Sequence, residues 1–256
     1  RLGAEALAAK AAAIAAYRSQ TDPLSPSPGD EAIVDERHLA HFSRDAEVLF
    51  VTEPGGAVPT SRSRDSFDAF YARRPGGWDF STWYERRKRD VLLAALPRER
   101  FTRTLELGSS TGELAARLAE RSDVVLGVDI AEAPLAAARR TAPTATFERM
   151  TIPAEWPEGT FDLVVMSEVG YYLSEDDIDR TVERVSASLE SDGVFVACHW
   201  RHPDDDAVSD AATVHARIAA RWRGRRAVHH EEDDVVLDVF VAADAPSVAM
   251  RAGLVA

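Results

Sequence analysis

Leu105-Glu106-Leu107-Gly108-Ser109-Ser110-Thr111-Gly112-Glu113 runs into Leu114 to Glu120 in helical pattern and then into Val124-Val125-Leu126-Gly127-Val128-Asp129. A short apolar run, a turn with two glycines, an Ala/Leu/Arg segment and a second apolar run ending in Asp spell a βαβ unit. Glycine has no Cβ, so Gly108 and Gly112 let the backbone take positive φ and pass close beneath a ligand. A carboxylate closing the second strand, Asp129, suits a vicinal diol, whose two hydroxyls donate to two anionic oxygens. The stretch predicts a nucleoside-binding corner.

Two cofactor classes use such a corner. A dinucleotide fold wants Gly-x-Gly-x-x-Gly, so that backbone and helix N-terminus hold a pyrophosphate. Counted from Gly108, the second glycine falls on Ser110 and the third on Glu113. NAD-dependent oxidoreduction therefore keeps Asp129 but lacks its glycines, and an anionic Glu113 at the helix start repels a pyrophosphate. Glu106, just before the turn, suits a cation, and a sulfonium nucleoside with an amino-acid tail is one. In these residues the stretch resembles motif I of class I S-adenosylmethionine (SAM) methyltransferases, Glu/Asp-x-Gly-x-x-x-Gly. Asp129 matches the ribose-binding acid, and Ser110 stands where a middle glycine is usual. The resemblance implies a Rossmann-like α/β domain, a mostly parallel seven-stranded sheet with helices on both faces, and S-adenosyl-L-methionine as cofactor. An ordinary α/β turn without a ligand is the alternative.

The 256 residues can hold one full α/β domain plus extra elements. No run approaches the roughly 20 apolar residues of a membrane span, and no signal-peptide pattern is present. Because residue 1 is Arg, the sequence is expected to begin inside a longer product. A single cysteine, Cys198, excludes a disulfide framework and fits a reducing cytoplasm. The net charge of -13 repels phosphate backbones, so nucleic acid is not an expected partner. A small-molecule amine is compatible with that sign.

Residues 1 to 18 are Ala-rich and predict a helix; Asp22 to Asp30, with three prolines, predicts a loop. Glu47-Val48-Leu49-Phe50-Val51 predicts a strand. Lys10, Ala13, Ala16, Ser19-Gln20, Phe42 and Glu47-Val48-Leu49-Phe50 resemble the C-terminal end of PIG-L family sugar N-deacetylases. Residues 1–53 are thus expected to be a deacetylase remnant, an N-terminal α/β appendage. Residues 54–65 then form a linker and 66–256 the methyltransferase domain. His202-Pro203-Asp204-Asp205-Asp206 mimics the zinc motif of those enzymes but follows the last core strand, so no metal site is expected.

Beyond the linker, Phe67 to Tyr71 and Trp78 to Lys88 combine aromatic and basic residues, and helical periodicity continues to Leu96 before Pro97. Either this is an amphipathic helix capping the sheet, or Trp78, Tyr84 and a cation from Arg86, Arg87 or Lys88 close over the cofactor's carboxylate and adenine. Pro134 suits the first turn of the helix after Asp129. Thr146 to Met150 is a third strand, after which Met150, Thr151 and Ile152 offer an apolar floor for the adenine. Phe161-Asp162-Leu163-Val164-Val165-Met166 is apolar enough for burial on both faces and ends in Ser167-Glu168-Val169-Gly170-Tyr171-Tyr172. Open parallel sheets place their chemistry at such strand ends. Ser174 caps a further helix, Ser191-Asp192-Gly193 is a turn, and Val194 to Cys198 is a strand ending at His199-Trp200. A helix over about 210–221 and an antiparallel pair, 226–230 with 235–241, complete the chain.

From Phe67 to about Phe240 the chain resembles the NodS-like N-methyltransferases, through Trp78-Asp79, Tyr84-Glu85, Glu106-Leu107-Gly108, Phe161-Asp162-Leu163-Val164 and Ser167-Glu168-Val169 with Tyr171-Tyr172-Leu173. The resemblance implies N-methylation of a free amine on an amino sugar or similar molecule, exposed by deacetylation. Methylation of a small-molecule hydroxyl and a non-catalytic scaffold are the alternatives. Cofactor contacts are expected from Trp78, Tyr84, Lys88, Glu106, Leu107, Gly108, Ser109, Gly112, Asp129, Ile130, Met150, Thr151, Ile152, Ser167 and Val169. Tyr171, Tyr172 and Trp200 are expected as acceptor walls, with Glu168 and His199 as candidate proton acceptors at adjacent strand ends.

Overall fold

The computed structural model describes residues 3–16 and 60–255 other than 75, 76 and 203, together with residues 18, 22, 23, 25, 32, 34, 39 and 44. The chain divides into two compact units, Arg1–Gly56 and Ala57–Ala256. In the first, helix α1 (Ala4–Ala16) follows from its alanine content and buries no residue. The strand expected over 47–51 and the linker residues 54–59 lie outside the described residues.

The second unit opens with two helices. α2 (Arg64–Arg73) starts inside the segment expected to be linker, because the Ser63 side chain accepts the Ser66 N–H and caps the first turn. α3 (Trp83–Ala95) is capped in the same way by Thr82, which accepts from Glu85, and stops just before Pro97. A doubly wound run follows: β1 (Phe101–Leu107), α4 (Glu113–Ala119), β2 (Ser122–Asp129), α5 (Glu132–Thr141), β3 (Thr146–Arg149) and β4 (Phe161–Ser167). After a short 3₁₀ turn (Gly170–Tyr172) come α6 (Glu175–Ser188), β5 (Leu189–Trp200), α7 (Ala211–Arg221), β6 (Arg225–Glu231), β7 (Val235–Val241) and α8 (Val248–Arg251).

The strands form one sheet in the order β3-β2-β1-β4-β5-β7-β6. β1 to β5 are parallel, while β7 runs antiparallel to both β5 and β6. Alternation along the strands divides the core in two. Leu105, Leu107, Val164, Met166, Phe195 and Ala197 face one buried cluster, and Leu163, Val165, Val194, Val196 and Cys198 face the other. Both faces are therefore covered, which is why β4 from Leu163 to Met166 and β5 from Val194 to Cys198 read as apolar runs.

One expected turn is absent. Ser191-Asp192-Gly193 lies inside β5, where Leu189 pairs with Phe161 and Val194 with Leu163. The residues between bulge out of the ladder rather than ending it. Strand order reverses beside β1, between β2 and β4, so the carboxyl ends of β1, β2 and β4 open onto one crevice.

Candidate functional site

The bend after β1 is tightly specified. The N–H groups of Gly108 and Ser109 both donate to the Val128 carbonyl, at 2.8 and 3.0 Å, and Gly112 N–H donates to Ser109 O at 2.9 Å. Gly108 has φ +76°, and a Cβ there would sit 2.8 Å from Val169 Cβ, so no other residue fits without displacing the β4 loop. Ser110, where a glycine is usual, takes φ 44°. Its N–H donates to Asp129 Oδ2 at 2.9 Å, and its hydroxyl lies 3.1 Å from Tyr71 Oη. These two bonds hold a left-handed serine in place.

Asp129 closes β2 and is 8% exposed. Each carboxylate oxygen accepts one backbone N–H, Oδ2 from Ser110 and Oδ1 from Ala131 at 2.9 Å, which leaves lone pairs free on both. Burial pushes its carboxyl up to about 6, against the pull of those backbone donors. Glu106 is 3% exposed, and its Oε2 has no hydrogen-bond partner among the described residues. Burial first, then Asp129 and Glu113, hold its carboxyl well above the usual carboxylate range. An unpaired buried acid among acids is a site that a cation relieves.

A cavity of about 700 Å³ opens over this bend. Of the expected cofactor contacts, Trp78, Tyr84, Lys88, Gly108, Asp129, Ile130, Met150, Thr151, Ile152 and Val169 line it. Glu106, Leu107, Ser109, Gly112 and Ser167 do not reach its wall. Tyr171, Tyr172 and Trp200 line it too, as does Glu168. Phe67 and Tyr71 also contribute to the wall, and Trp78 stacks on Phe70 with ring centroids 4.6 Å apart.

Two expectations about charged groups are corrected. Lys88 is not free to meet a cofactor carboxylate: it is 6% exposed, and its ammonium lies 2.8 Å from Glu85 and 2.9 Å from Glu168. Burial works against its charge, but the two carboxylates outweigh that and raise its pKa. Neighbouring cations are also committed, Arg86 to Ser81 O and Arg87 in a two-pronged pair with Glu232. His199 ends β5 as expected but does not reach the cavity. Its ring is fully buried; Nε2 accepts the Gly170 N–H at 3.0 Å and Nδ1 lies 3.0 Å from His215 Nε2. His215 in turn meets Asp238 at 2.7 Å. Burial, then His215 and Lys88, depress the pKa of His199 well below the ordinary range. Its neutral ring therefore positions the loop after β4.

Glu168 is equally occupied. It accepts from Tyr171 Oη at 2.6 Å, from the Trp200 N–H at 3.0 Å and from Lys88, and its own φ is 59°. Arg62 escaped sequence reasoning because an arginine in a Ser/Arg stretch looks like linker. It lines the cavity under Phe67, with its guanidinium carbon 4.4 Å from that ring's centroid.

A mostly parallel seven-stranded sheet, a glycine bend at its switch point and an acid closing β2 define the Rossmann-like methyltransferase fold. Comparison with known proteins agrees: a family model described as "Methyltransferase domain" matches residues 104–193. The chain is similar to a protein of Pseudomonas syringae classed as a methyltransferase and solved by crystallography. Identity is 40%, the match covers 62% of this chain and 99% of that one, and the TM-score is 0.56. The chain therefore belongs to the methyltransferases. It is also similar, 32% over 105 residues, to a protein of Geobacillus sp. (strain WCH70) classed as a methyltransferase; the match spans 39% of this chain and 42% of that relative. Likeness of fold extends to the N-methyltransferase NodS from Bradyrhizobium japonicum WM9, solved in complex with S-adenosyl-l-homocysteine. There the identity is 20%, the coverage 69% of this chain and 98% of that one, and the TM-score 0.60.

Proposed function

We propose that this protein is a SAM-dependent methyltransferase that methylates the nitrogen of a small-molecule amine. The cofactor is S-adenosyl-L-methionine. The observation that carries this function is the pairing of a glycine-floored bend with Asp129, whose two oxygens keep free lone pairs at the cavity wall. When bound, SAM supplies an electrophilic methyl group on a sulfonium.

The protein's own share is alignment and exclusion of water. Asp129 would accept from the ribose hydroxyls, and Met150, Thr151 and Ile152, which line the cavity, would floor the adenine. Trp78, Tyr171 and Tyr172 wall the reacting centre. His199 has no acceptor position to spare for a substrate proton, and Glu168 already takes three donors, Tyr171, the Trp200 N–H and Lys88. A neutral amine attacks without prior loss of a proton, whereas a hydroxyl gains much more from a base. That asymmetry supports nitrogen over oxygen. The resemblance of residues 1–53 to deacetylases supports an acceptor whose amine is released by deacylation, an amino sugar among them.

The test pairs binding with turnover. Calorimetric binding of S-adenosylhomocysteine (SAH) is expected for the wild type and should collapse in Asp129→Ala and Gly108→Val. Incubation with SAM and glucosamine is expected to add one methyl to nitrogen by mass spectrometry, with glucose unchanged. Unaltered SAH affinity in both variants removes the cofactor site. Methylation of glucose alone replaces nitrogen with oxygen.

A further inference from the structure

The acceptor side of the cavity holds an unspent cation. Arg62 is in the segment before α2, and its side chain is 5% exposed. Nε donates to Ser66 Oγ at 3.0 Å and Nη2 to Asp206 Oδ2 at 2.8 Å, but Nη1 is buried without a hydrogen-bond partner among the described residues. The guanidinium lies 4.4 Å from the Phe67 ring centroid and 5.4 Å from that of Tyr172, so its plane is fixed by aromatic faces. The Arg62 backbone N–H donates to Tyr172 O at 2.8 Å, which ties the residue to the loop after β4. Leaving a charged donor buried and unpaired is costly, and a guanidinium offers a forked pair of N–H groups to an oxyanion.

Location separates this donor from the cofactor's end. The nucleoside end is marked by Gly108, Ser110, Asp129 and the residues after β3. Arg62 instead makes its polar contacts with Ser66, Tyr172 and Asp206, the last two in the loops that follow β4 and β5. A methyl acceptor would take the part of the cavity that the nucleoside leaves free.

We propose that Arg62, which lines the cavity, is the anion anchor for the methyl acceptor: its guanidinium takes an oxyanion, a carboxylate or a phosphate ester, carried by the same molecule as the reacting amine. The preferred acceptor thus carries an anion as well as its amine, and a plain amine such as glucosamine would bind more weakly. Asp206, 55% exposed on its side chain, neutralises part of the guanidinium until that anion arrives. The inference rests on the methyltransferase function proposed above.

Inorganic phosphate, titrated into the protein–SAH complex and followed by ³¹P line broadening, tests it without an identified acceptor. Saturable binding is expected, weakened at least about tenfold in Arg62→Met, since a charge-assisted bond is lost. Arg180→Met, which removes a second cavity-lining arginine paired with Asp177, is expected to keep it. Asp206→Asn alters an exposed side chain, leaves the fold intact and is expected to tighten phosphate severalfold. No saturable binding, or binding indifferent to both Arg62→Met and Asp206→Asn, overturns the proposal. If Arg62→Met instead lowers affinity for SAH while methylthioadenosine, which lacks the amino-acid tail, binds as before, the anion is the cofactor's own carboxylate and the proposal falls. A wild type that binds no SAH at all removes the underlying function instead.

Discussion

Replacing Asp129 with asparagine separates the cost of the site from its use. Moving this carboxyl from 3.8 to about 6 means that the folded protein carries the charged form at a penalty of about 3 kcal/mol at neutral pH. An uncharged amide removes that penalty. It also points an N–H₂ group at one of two backbone donors, Ser110 N–H or Ala131 N–H, and leaving one donor unpaired costs about 1–3 kcal/mol. The two effects nearly cancel, so urea unfolding of Asp129→Asn should change by no more than about 2 kcal/mol in either direction.

Binding should not cancel. The loss of a charge-assisted bond to the ribose is worth about 1.5–3 kcal/mol, a fall in SAH affinity of about 10- to 150-fold. The pH dependence supplies the sign. Because the free carboxyl sits at about 6 and the ligand prefers the carboxylate, wild-type affinity should drop as pH falls through that value. For stability the sign is opposite: a raised acid favours the fold at low pH and loses that contribution as pH rises through about 6. Calorimetry with SAH between pH 5 and 7 reads the first effect directly. A variant with the same fall in affinity across that window refutes the assignment of Asp129, whatever its absolute affinity.

Other perturbations reach neighbouring parts of the site. Gly108→Ala combines a left-handed φ, at about 1–2 kcal/mol, with crowding against Val169, at about 1–3 kcal/mol, so a lower urea midpoint and weakened SAH binding are expected. An unchanged midpoint would mean that the bend has slack. Lys88→Met strands Glu85 and Glu168 without their shared cation and should cost about 3–5 kcal/mol by denaturant unfolding. Adding Glu168→Gln should recover part of that loss; strict additivity of the two would deny that they interact. His199, with its pKa depressed, supports the fold above its ordinary 6.5 and loses that support as pH falls. His199→Gln should therefore lose less stability than the wild type between pH 7 and 5; parallel melting curves would contradict a neutral, load-carrying imidazole.

Composition made the sheet legible, because a strand buried on both faces favours an apolar run, and 163–166 is one. The bend is legible for a similar reason: positive φ combined with neighbours under 3 Å from an added Cβ leaves Gly108 and Gly112 no ready substitute. What one strand says about itself does not extend to its partner, however. Ser191-Asp192-Gly193 has turn composition, yet ladder bonds on either side carry β5 through it as a bulge. Charged residues were harder still. Arg87 and Lys88 look like free cations on an amphipathic helix, but their partners Glu232 and Glu168 come from β6–β7 and from the end of β4, distances in sequence that no helical pattern records. Arg62 had the reverse problem: a residue in a polar stretch gives no sign that aromatic rings from α2 and the β4 loop will bury it.

Glu168 explains how these separate elements act as one wall. A non-glycine residue at φ 59° costs about 1–2 kcal/mol and persists only where its surroundings over-determine it. Here its N–H donates to Cys198 O, while its carboxylate gathers Lys88 from α3, Tyr171 from the next turn and the Trp200 N–H from the end of β5. That left-handed step sends the chain back across the strand ends, so Val169 meets Gly108 and the two tyrosines face the cavity. From the other side, His199 holds Gly170 through the same loop. An acid placed at a strand end for proton transfer would need at least one oxygen free of such donors. Glu168 has spent its charge on geometry, which is the stronger reason to expect an acceptor that attacks without help.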